Sequence, residues 1–207
     1  ENKKELFTKK VLTSSSQPEV AVIQGVEELL FENKINSSDI KMIIHGTTLA
    51  TNAVIERKGA KTCFITTEGF RDVLDIGYES RFDQYDILIE KTMSLVPRKH
   101  RYVIEERTDI NGNIIKPINT KKFHSLLDTI KNEKFESIGI GFLHSYANSK
   151  NENELKDFLL KYLPEVEVSI SSDVCPEIRE YERFTTTVVN SYICLLYTSD
   201  AADDTTG

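Results

Sequence analysis

A polar turn, Ile44-His45-Gly46-Thr47-Thr48, is the part of this sequence whose residue types and order most favour chemistry. Residues 41–44 predict a short buried strand, and residues 49–57 predict a helix that Gly59 closes. A strand that passes into a helix through such a turn places backbone N–H groups and two hydroxyls at the carboxyl edge of a sheet. Ligands of α/β proteins bind at that edge, and the N-terminus of a helix favours anions.

The same turn also has a purely structural interpretation. Thr47 or Thr48 would cap the helix, and Gly46 would permit the tight turn. His45 would then be a hydrogen-bonded core residue rather than a catalytic one. The local pattern leaves both interpretations open.

Other polar groups suit an anionic ligand but are equally typical of a protein surface. The run Arg179-Glu180-Tyr181-Glu182-Arg183 predicts either a salt-bridged helix start or a polar cluster that faces a cleft. The remaining candidates are Arg71 with Asp72 at the start of a short helix, Arg81 and Asp83 in an irregular stretch, and His144 after a buried strand.

The composition argues against several classes of protein. The 207 residues carry a net charge of −7 with both signs interspersed, and the basic cluster at residues 98–101 predicts a solvated loop rather than a nucleic-acid contact. No apolar run approaches the roughly 20 residues of a membrane span, and no secretory signal is visible. The sequence contains no zinc-ligand spacing, Walker-type phosphate loop or nucleophile elbow. Three scattered cysteines predict reduced thiols, with Cys63 in the core, and we therefore expect a cytoplasmic protein.

The elements that must position these groups alternate between helix and strand, which predicts an α/β fold. A first helix carries a stripe that we expect to be buried, and the Asn111-Gly112 pair predicts a hairpin between residues 101–106 and 114–118. The stripe consists of Val22, Ile23, Val26, Leu29 and Leu30. Strands are predicted at 62–66, 137–143 and 166–171, and further helices at 120–130, 155–162 and 179–193.

We expect four regions along the chain. Residues 1–77 form a first α/β unit, residues 78–119 an irregular segment with the hairpin, and residues 120–193 a second α/β unit. Residues 194–207 have the composition of a disordered and non-native tail, because the segment 199–207 has no apolar residue larger than alanine.

Several longer blocks resemble the hydantoinase/oxoprolinase family, in the order in which that family has them. They are the runs 45–60 (HGTTLATNAVIERKGA), 66–74 (TTEGFRDVL), 95–98 (LVPR), 142–148 (FLHSYAN) and 176–183 (PEIREYER). The resemblance extends over about residues 10 to 193, and agreement of this length is far more specific than any single motif.

The resemblance implies a partial actin-like (ribonuclease H-like) ATPase domain, with mixed sheets, flanking helices and a central hairpin. It implies ATP and Mg²⁺ as cofactors, a small cyclic amide or ketone as substrate, and a hydantoinase B-type partner subunit or domain. The shared step would be phosphorylation of a carbonyl or amide oxygen, which makes a better electrophile. By analogy of fold, the substrate or phosphate would meet residues drawn from the turn and from the other polar groups: His45, Gly46, Thr47, Thr48, Asn52, Arg71, Arg179 and Glu182.

Two departures limit what the resemblance implies. The family's Asp-x-Gly-Gly-Thr phosphate loop is missing from this sequence, as is the large second half with the adenosine pocket. We therefore expect a fragment, inactive alone, of an ATP-dependent enzyme that opens a hydantoin or 5-oxoproline ring. A subunit of an ATP-dependent ketone carboxylase and a non-catalytic interaction module are the alternatives.

Overall fold

The computed structural model describes residues 6–12, 18–44, 46, 48–78, 85–86, 88, 92–119 and 123–203, without the side chains of 18–19 and 197–203. The chain forms two compact units, residues 1–47 and 48–207. The helices are α1 (Pro18–Glu32), α2 (Leu49–Ile55), α3 (Val73–Ile76), α4 (His124–Glu133), α5 (Lys150–Tyr162), α6 (Ser171–Val174) and α7 (Glu180–Asp203). The strands are β1 (Thr62–Thr67), β2 (Arg101–Ile104), β3 (Arg107–Thr108), β4 (Ile114–Lys116), β5 (Ser137–Gly141) and β6 (Glu167–Ile170).

The first unit contains α1 and a 3₁₀ turn at Ser37–Asp39. Lys9 holds the C-terminal half of α1 through ion pairs with Glu28, at 3.0 Å, and Glu32. The helix was predicted correctly, but its expected buried stripe is wrong, since Val22 and Ile23 are exposed. The strand expected at 41–44 is also wrong, because that segment is irregular and exposed and no strand of this unit pairs with it in the described residues.

The second unit is built on a four-stranded parallel sheet in the order β2-β1-β5-β6. Its two central strands, β1 and β5, are buried along their whole length. Such strands lie between two layers of helices, and neither sequence contains a charged residue: β1 is Thr-Cys-Phe-Ile-Thr-Thr and β5 is Ser-Ile-Gly-Ile-Gly. The strands predicted at 62–66, 137–143 and 166–171 are confirmed.

Each face of this sheet is covered by its own set of helices. On one face Ile65, Ile138 and Ile140 pack with buried apolar residues of α4 and α5, and Cys63 lies in this core as predicted. Burial also raises the pKa of the Cys63 thiol, so this cysteine is a core residue rather than a nucleophile.

On the other face, Phe64 packs against Phe184 and Val188 of α7. Close approach of α7 depends on Gly141, because a Cβ at that position would lie 2.5 Å from a ring carbon of Phe184. Gly59 has the same role against Tyr192 and does not close α2, because the left-handed φ of 58° that follows this helix falls on Arg57.

The predicted hairpin around Asn111-Gly112 forms from shorter strands than expected. β3 pairs with β4, and Gly112 takes a positive φ of 84°, as the turn requires. Asp109 closes the turn by accepting hydrogen bonds from the backbone N–H groups of Asn111 and Asn113, at 2.9 and 2.8 Å. Residues 101–104, however, leave the hairpin and form β2, which is parallel to β1.

The structure divides the chain differently from the four expected regions. β1, β2 and β5 come from three of those regions yet share one sheet, so no boundary falls at 77 or 119. Residues 194–203 of the expected disordered tail form the end of α7 instead, with Cys194 half-buried, and residues 204–207 lie outside the described residues. Among the described residues, no helix combines the length and apolar character that a membrane span requires.

Candidate functional site

The carboxyl edge of the parallel sheet carries a buried polar network centred on Glu152. This carboxylate is fully buried at the start of α5. Its Oε1 accepts hydrogen bonds from the Phe142 N–H at 2.8 Å and the Ser171 hydroxyl at 2.6 Å, and its Oε2 accepts one from the Ser172 N–H at 2.9 Å. Glu152 thereby holds together the chain segments that follow β5 and β6.

Arg183 extends this network into α7. Its guanidinium is fully buried and donates hydrogen bonds to the carbonyls of Phe142 and Glu177, at 3.0 and 2.6 Å, and to the Ser171 hydroxyl at 3.2 Å. The fork of donors suits this use, because one side chain reaches the ends of β5 and β6 together with the start of α7. Arg183 therefore fixes the first turn of α7 against the sheet edge.

A second buried carboxyl group, Glu106, lies beyond the end of β2. It accepts hydrogen bonds from the Thr67 hydroxyl at the end of β1 and from the Asn151 amide, the latter at 2.8 Å. Burial raises the pKa of Glu106 above its ordinary value, while these two donors act in the opposite direction. The Leu143 N–H also donates to the Thr67 hydroxyl at 2.9 Å, so this group links three strand ends.

Above this edge, α3 and the start of α7 enclose an open cleft of about 320 Å³. Aromatic side chains form much of its wall, and the rings of Tyr78 and Tyr181 meet edge to face with centroids 5.1 Å apart. The lining residues are Phe70, Val73, Ile76, Gly77, Tyr78, Ile178, Arg179, Glu180, Tyr181 and Glu182. A cleft with apolar walls and a few charged groups at the carboxyl side of a parallel sheet is a typical ligand site.

The predicted pair Arg179 and Glu182 lies in this cleft. The Tyr78 hydroxyl donates a hydrogen bond to Glu182, whose carboxylate is 3.8 Å from the Arg179 guanidinium. The hydrogen bond lowers the pKa of Glu182 and raises the pKa of Tyr78. Glu182 is therefore engaged by its neighbours, while the Arg179 side chain is 69% exposed.

Glu180, the first residue of α7, has different surroundings. Its Oε1 lies 3.6 Å from Arg183 and 3.9 Å from Nδ1 of His144. His144 follows β5 in a left-handed conformation, with φ 55°, which is uncommon for a residue other than glycine. The Tyr146 hydroxyl lies 3.4 Å from the same Nδ1. The candidate His144 thus belongs to the rim of the polar edge, next to a carboxylate of the cleft.

The turn at residues 45–48 is only partly covered by the described residues. His45 and Thr47 lie outside the described residues, as do Arg81 and Asp83, and Gly46 is exposed. Thr48 is at the N-cap of α2 but its side chain makes no capping hydrogen bond there. Its hydroxyl instead lies 3.4 Å from the Asn52 amide nitrogen, so the structure pairs these two candidates.

The last candidate, Arg71, lies apart from the cleft. It donates a hydrogen bond to the Arg98 carbonyl at 2.8 Å and lines a separate cavity of about 650 Å³ over β2 and α4. The neighbouring Asp72 pairs with Arg98 at 2.7 Å, which lowers the pKa of Asp72. Arg101 is buried and pairs through two nitrogens with Asp75, both at 2.7 Å. The basic cluster at 98–101 therefore anchors α3, and with it one wall of the cleft.

Glu152 and Glu106, two buried charged residues at the sheet edge, were not predicted from the sequence, whereas Arg183 belonged to the predicted polar run at 179–183. Helical spacing could have indicated Glu152, which shares a face with Leu155 and Leu159. Charged residues on the buried face of a helix require partners, and such sites are often functional.

Among the described residues, neither ATP nor Mg²⁺ is assigned to particular side chains. In the described segments, no group of three or more His, Cys, Asp or Glu side chains could hold a metal ion. The acidic groups at the sheet edge are occupied by the hydroxyl, amide and N–H donors named above.

The α/β architecture matches that of an ATP-dependent enzyme of known structure. The crystal structure of the ATP-dependent caprolactamase from Pseudomonas jessenii superposes with a TM-score of 0.84 at 27% identity, over 96% of this chain and 30% of that one. This establishes the partial actin-like α/β fold. The model of the hydantoinase/oxoprolinase N-terminal region matches residues 1–163, and the chain belongs to that family.

The relatives within this family are named for different activities, and some have no named activity. An uncharacterized protein of Methanocaldococcus jannaschii is 38% identical over 93% of this chain and 28% of its own length. The caprolactamase subunit alpha of Pseudomonas jessenii is 34% identical over 75% of this chain and 23% of its own length. The acetophenone carboxylase gamma subunit of Aromatoleum aromaticum is 26% identical over 82% and 24%. The chain thus spans about a quarter of the length of these relatives.

Proposed function

We propose that this chain is part of an ATP-dependent enzyme that opens a cyclic amide of the hydantoin, 5-oxoproline or lactam type. The observation that carries the proposal is the likeness to caprolactamase, both in sequence, at 34% identity to its alpha subunit, and in backbone, with a TM-score of 0.84. Caprolactam is itself a cyclic amide, so the name of this relative describes the same class of substrate.

The chemistry explains why such an enzyme would use ATP. An amide carbonyl resists attack by water, and transfer of a phosphoryl group to its oxygen would produce a much better electrophile. That activation belongs to the whole enzyme in this proposal, since no residue of the chain is assigned to the nucleotide.

The contribution of this chain would be one wall of the substrate site. The cleft between α3 and α7 has a size and aromatic lining that suit a small ring, with Arg179 and Glu182 at its rim. The turn at residues 45–48, with Asn52, is proposed as a second contact for substrate or phosphate. Arg71 would act indirectly, because its hydrogen bond to Arg98 helps to hold α3.

A partner subunit is also part of the proposal. The caprolactamase and acetophenone carboxylase relatives are both named as subunits, which supports an assembly with a hydantoinase B-type partner. The carboxylase relative is less similar than the caprolactamase relative, at 26% against 34% identity, and for this reason ketone carboxylation is the second candidate.

One assay separates these functions. The enzyme that carries this chain, with any copurifying subunit, is incubated with ATP and Mg²⁺ and either a cyclic amide or a ketone with bicarbonate. The amides are caprolactam, 5-oxoproline and hydantoin, and the ketones are acetone and acetophenone. We expect ring-opened product that forms only when ATP is present. Bicarbonate-dependent carboxylation of a ketone would replace the proposal by the carboxylase, and a folded enzyme without either activity would favour an interaction module.

A further inference from the structure

We infer that Glu180 is the residue through which the cleft recognises a ring N–H group of its ligand. The inference rests on the proposed function and names a chemical requirement of the same site. It concerns the choice between the two carboxylates that line the cleft, Glu180 and Glu182.

Glu182 is the less suitable of the two carboxylates. Its Oε1 already accepts the hydrogen bond of the Tyr78 hydroxyl and faces Arg179 at 3.8 Å. A ligand donor at this oxygen would compete with the tyrosine, and the charge of this carboxylate is already offset by Arg179. Its role is therefore to hold Tyr78, one of the aromatic walls.

Glu180 has Arg183 and His144 on its protein side and lines the cleft on its other side. Its Oε1 is buried and, within the described part of the chain, has no hydrogen-bond partner. Arg183 lies 3.6 Å from this oxygen, so its positive charge holds the carboxylate from the protein side, and Nδ1 of His144 lies 3.9 Å away. The side chain is nevertheless 25% exposed, and with Oε1 buried, any contact of the carboxylate with a ligand is made through Oε2.

This arrangement selects a ligand with a hydrogen-bond donor. A carboxylate accepts hydrogen bonds and cannot donate them, and a ring N–H is the donor that a hydantoin, 5-oxoproline or lactam carries. The Tyr78 and Tyr181 rings supply flat apolar surface for the rest of the ring. Recognition of the N–H by Glu180 would therefore orient the ring and its neighbouring carbonyl.

The test compares substrates with and without the donor. The full enzyme with Glu180→Gln is assayed against whichever of caprolactam, 5-oxoproline and hydantoin it opens, and against the N-methyl derivative of that compound. Because Arg183 offers only donors, the glutamine oxygen should turn towards it and leave the amide NH₂, a donor, in the cleft. We expect kcat/KM for the N–H substrate to fall at least about tenfold. The value for the N-methyl derivative, or its inhibition constant if it is not opened, should change less than about twofold.

The matched control is Glu177→Gln, the same change at an exposed glutamate before α7. It should leave the ratio between the two substrates unaltered. An acid in the first turn also stabilises a helix, but a purely structural role would change the melting temperature and not this ratio. If Glu180→Gln melts near the assay temperature, Glu180→Asp is assayed instead. This variant keeps the negative charge but moves it away from the cleft, and we expect it to lose the same preference for the N–H substrate over the N-methyl derivative.

Two failures can be told apart. If the wild-type enzyme opens a ring and Glu180→Gln leaves the ratio unchanged, the inference is wrong and the proposed function stands. If the wild-type enzyme opens none of the cyclic amides, the proposed function itself fails, and the inference fails with it.

Discussion

Replacing Arg183 by methionine should destabilise the fold much more than the same replacement of an exposed arginine. Methionine has a similar length and keeps the apolar contact with the Tyr146 and Phe184 rings, which lie 5.4 and 5.2 Å from the guanidinium carbon. It removes the donors to the Phe142 and Glu177 carbonyls and to Ser171. The change therefore tests hydrogen bonds and charge more than volume.

The expected loss in the free energy of unfolding depends on which former partners of Arg183 can form another hydrogen bond. Glu177 is exposed and its carbonyl can bind water, and the Ser171 hydroxyl keeps Glu152 as a partner. The buried Phe142 carbonyl loses its charged donor, which costs about 1.5–3 kcal/mol. The Glu180 carboxylate also loses its nearest cation. Removal of one partner from a buried pair costs about 3–5 kcal/mol, and because Glu180 is 25% exposed we expect a total near the lower end of this range.

Equilibrium urea unfolding of wild-type and variant chains measures this difference. Arg179→Met is the matched control, because the same substitution is made four residues earlier at a side chain that is 69% exposed. We expect that control to lose less than about 1 kcal/mol. A loss for Arg183→Met below about 1 kcal/mol, or equal to that of the control, would refute the account of the buried network.

Three further predictions address the turn, the second buried carboxyl group and the nucleotide. In the full enzyme, Thr48→Val should change the free energy of unfolding by less than about 0.5 kcal/mol, because the hydroxyl makes no capping hydrogen bond. If the turn contacts a phosphorylated carbonyl, the same substitution should lower ATP-dependent turnover by roughly 10²–10³. Asn52→Ala should behave similarly, and variants that melt early but keep their rate would make the turn a structural cap. Because the pKa of Glu106 is raised in the folded state, this residue contributes to stability at low pH, and the contribution is lost as pH rises through the folded-state pKa. Glu106→Gln should abolish this loss of stability. Parallel curves of stability against pH for variant and wild type would contradict this prediction. The 207-residue chain alone should bind ATP negligibly by isothermal titration calorimetry, and micromolar binding would show that it holds a nucleotide site.

The strands that lie at the centre of the sheet could be predicted because their signal is local. Residues 137–141 are buried on both faces, and such a strand is almost continuously apolar wherever it occurs. The position of residues 101–104 could not be predicted in this way. Their neighbours suggested a hairpin, whereas their actual partner is β1, with Ile65 opposite Tyr102. Pairing between parallel strands far apart in sequence leaves no short-range signal.

The site was predictable to a similar extent. The run at 179–183 indicated charge near a cleft, and the structure places Arg179 and Glu182 there. The pattern could not tell that Arg183 is fully buried while Arg179 is exposed, because that difference depends on Phe142 and Ser171 from distant strand ends. Glu106 was missed for the same reason, since its partners Thr67 and Asn151 belong to other elements.

The most direct test of the proposed site is a crystal structure of the full enzyme with its cyclic amide substrate, determined without ATP so that the ring stays intact. We predict that the ring lies against the Tyr78 and Tyr181 side chains, with its N–H about 3 Å from a carboxylate oxygen of Glu180. A ring bound elsewhere, for example in the cavity over β2 and α4, with the cleft between α3 and α7 empty, would contradict it.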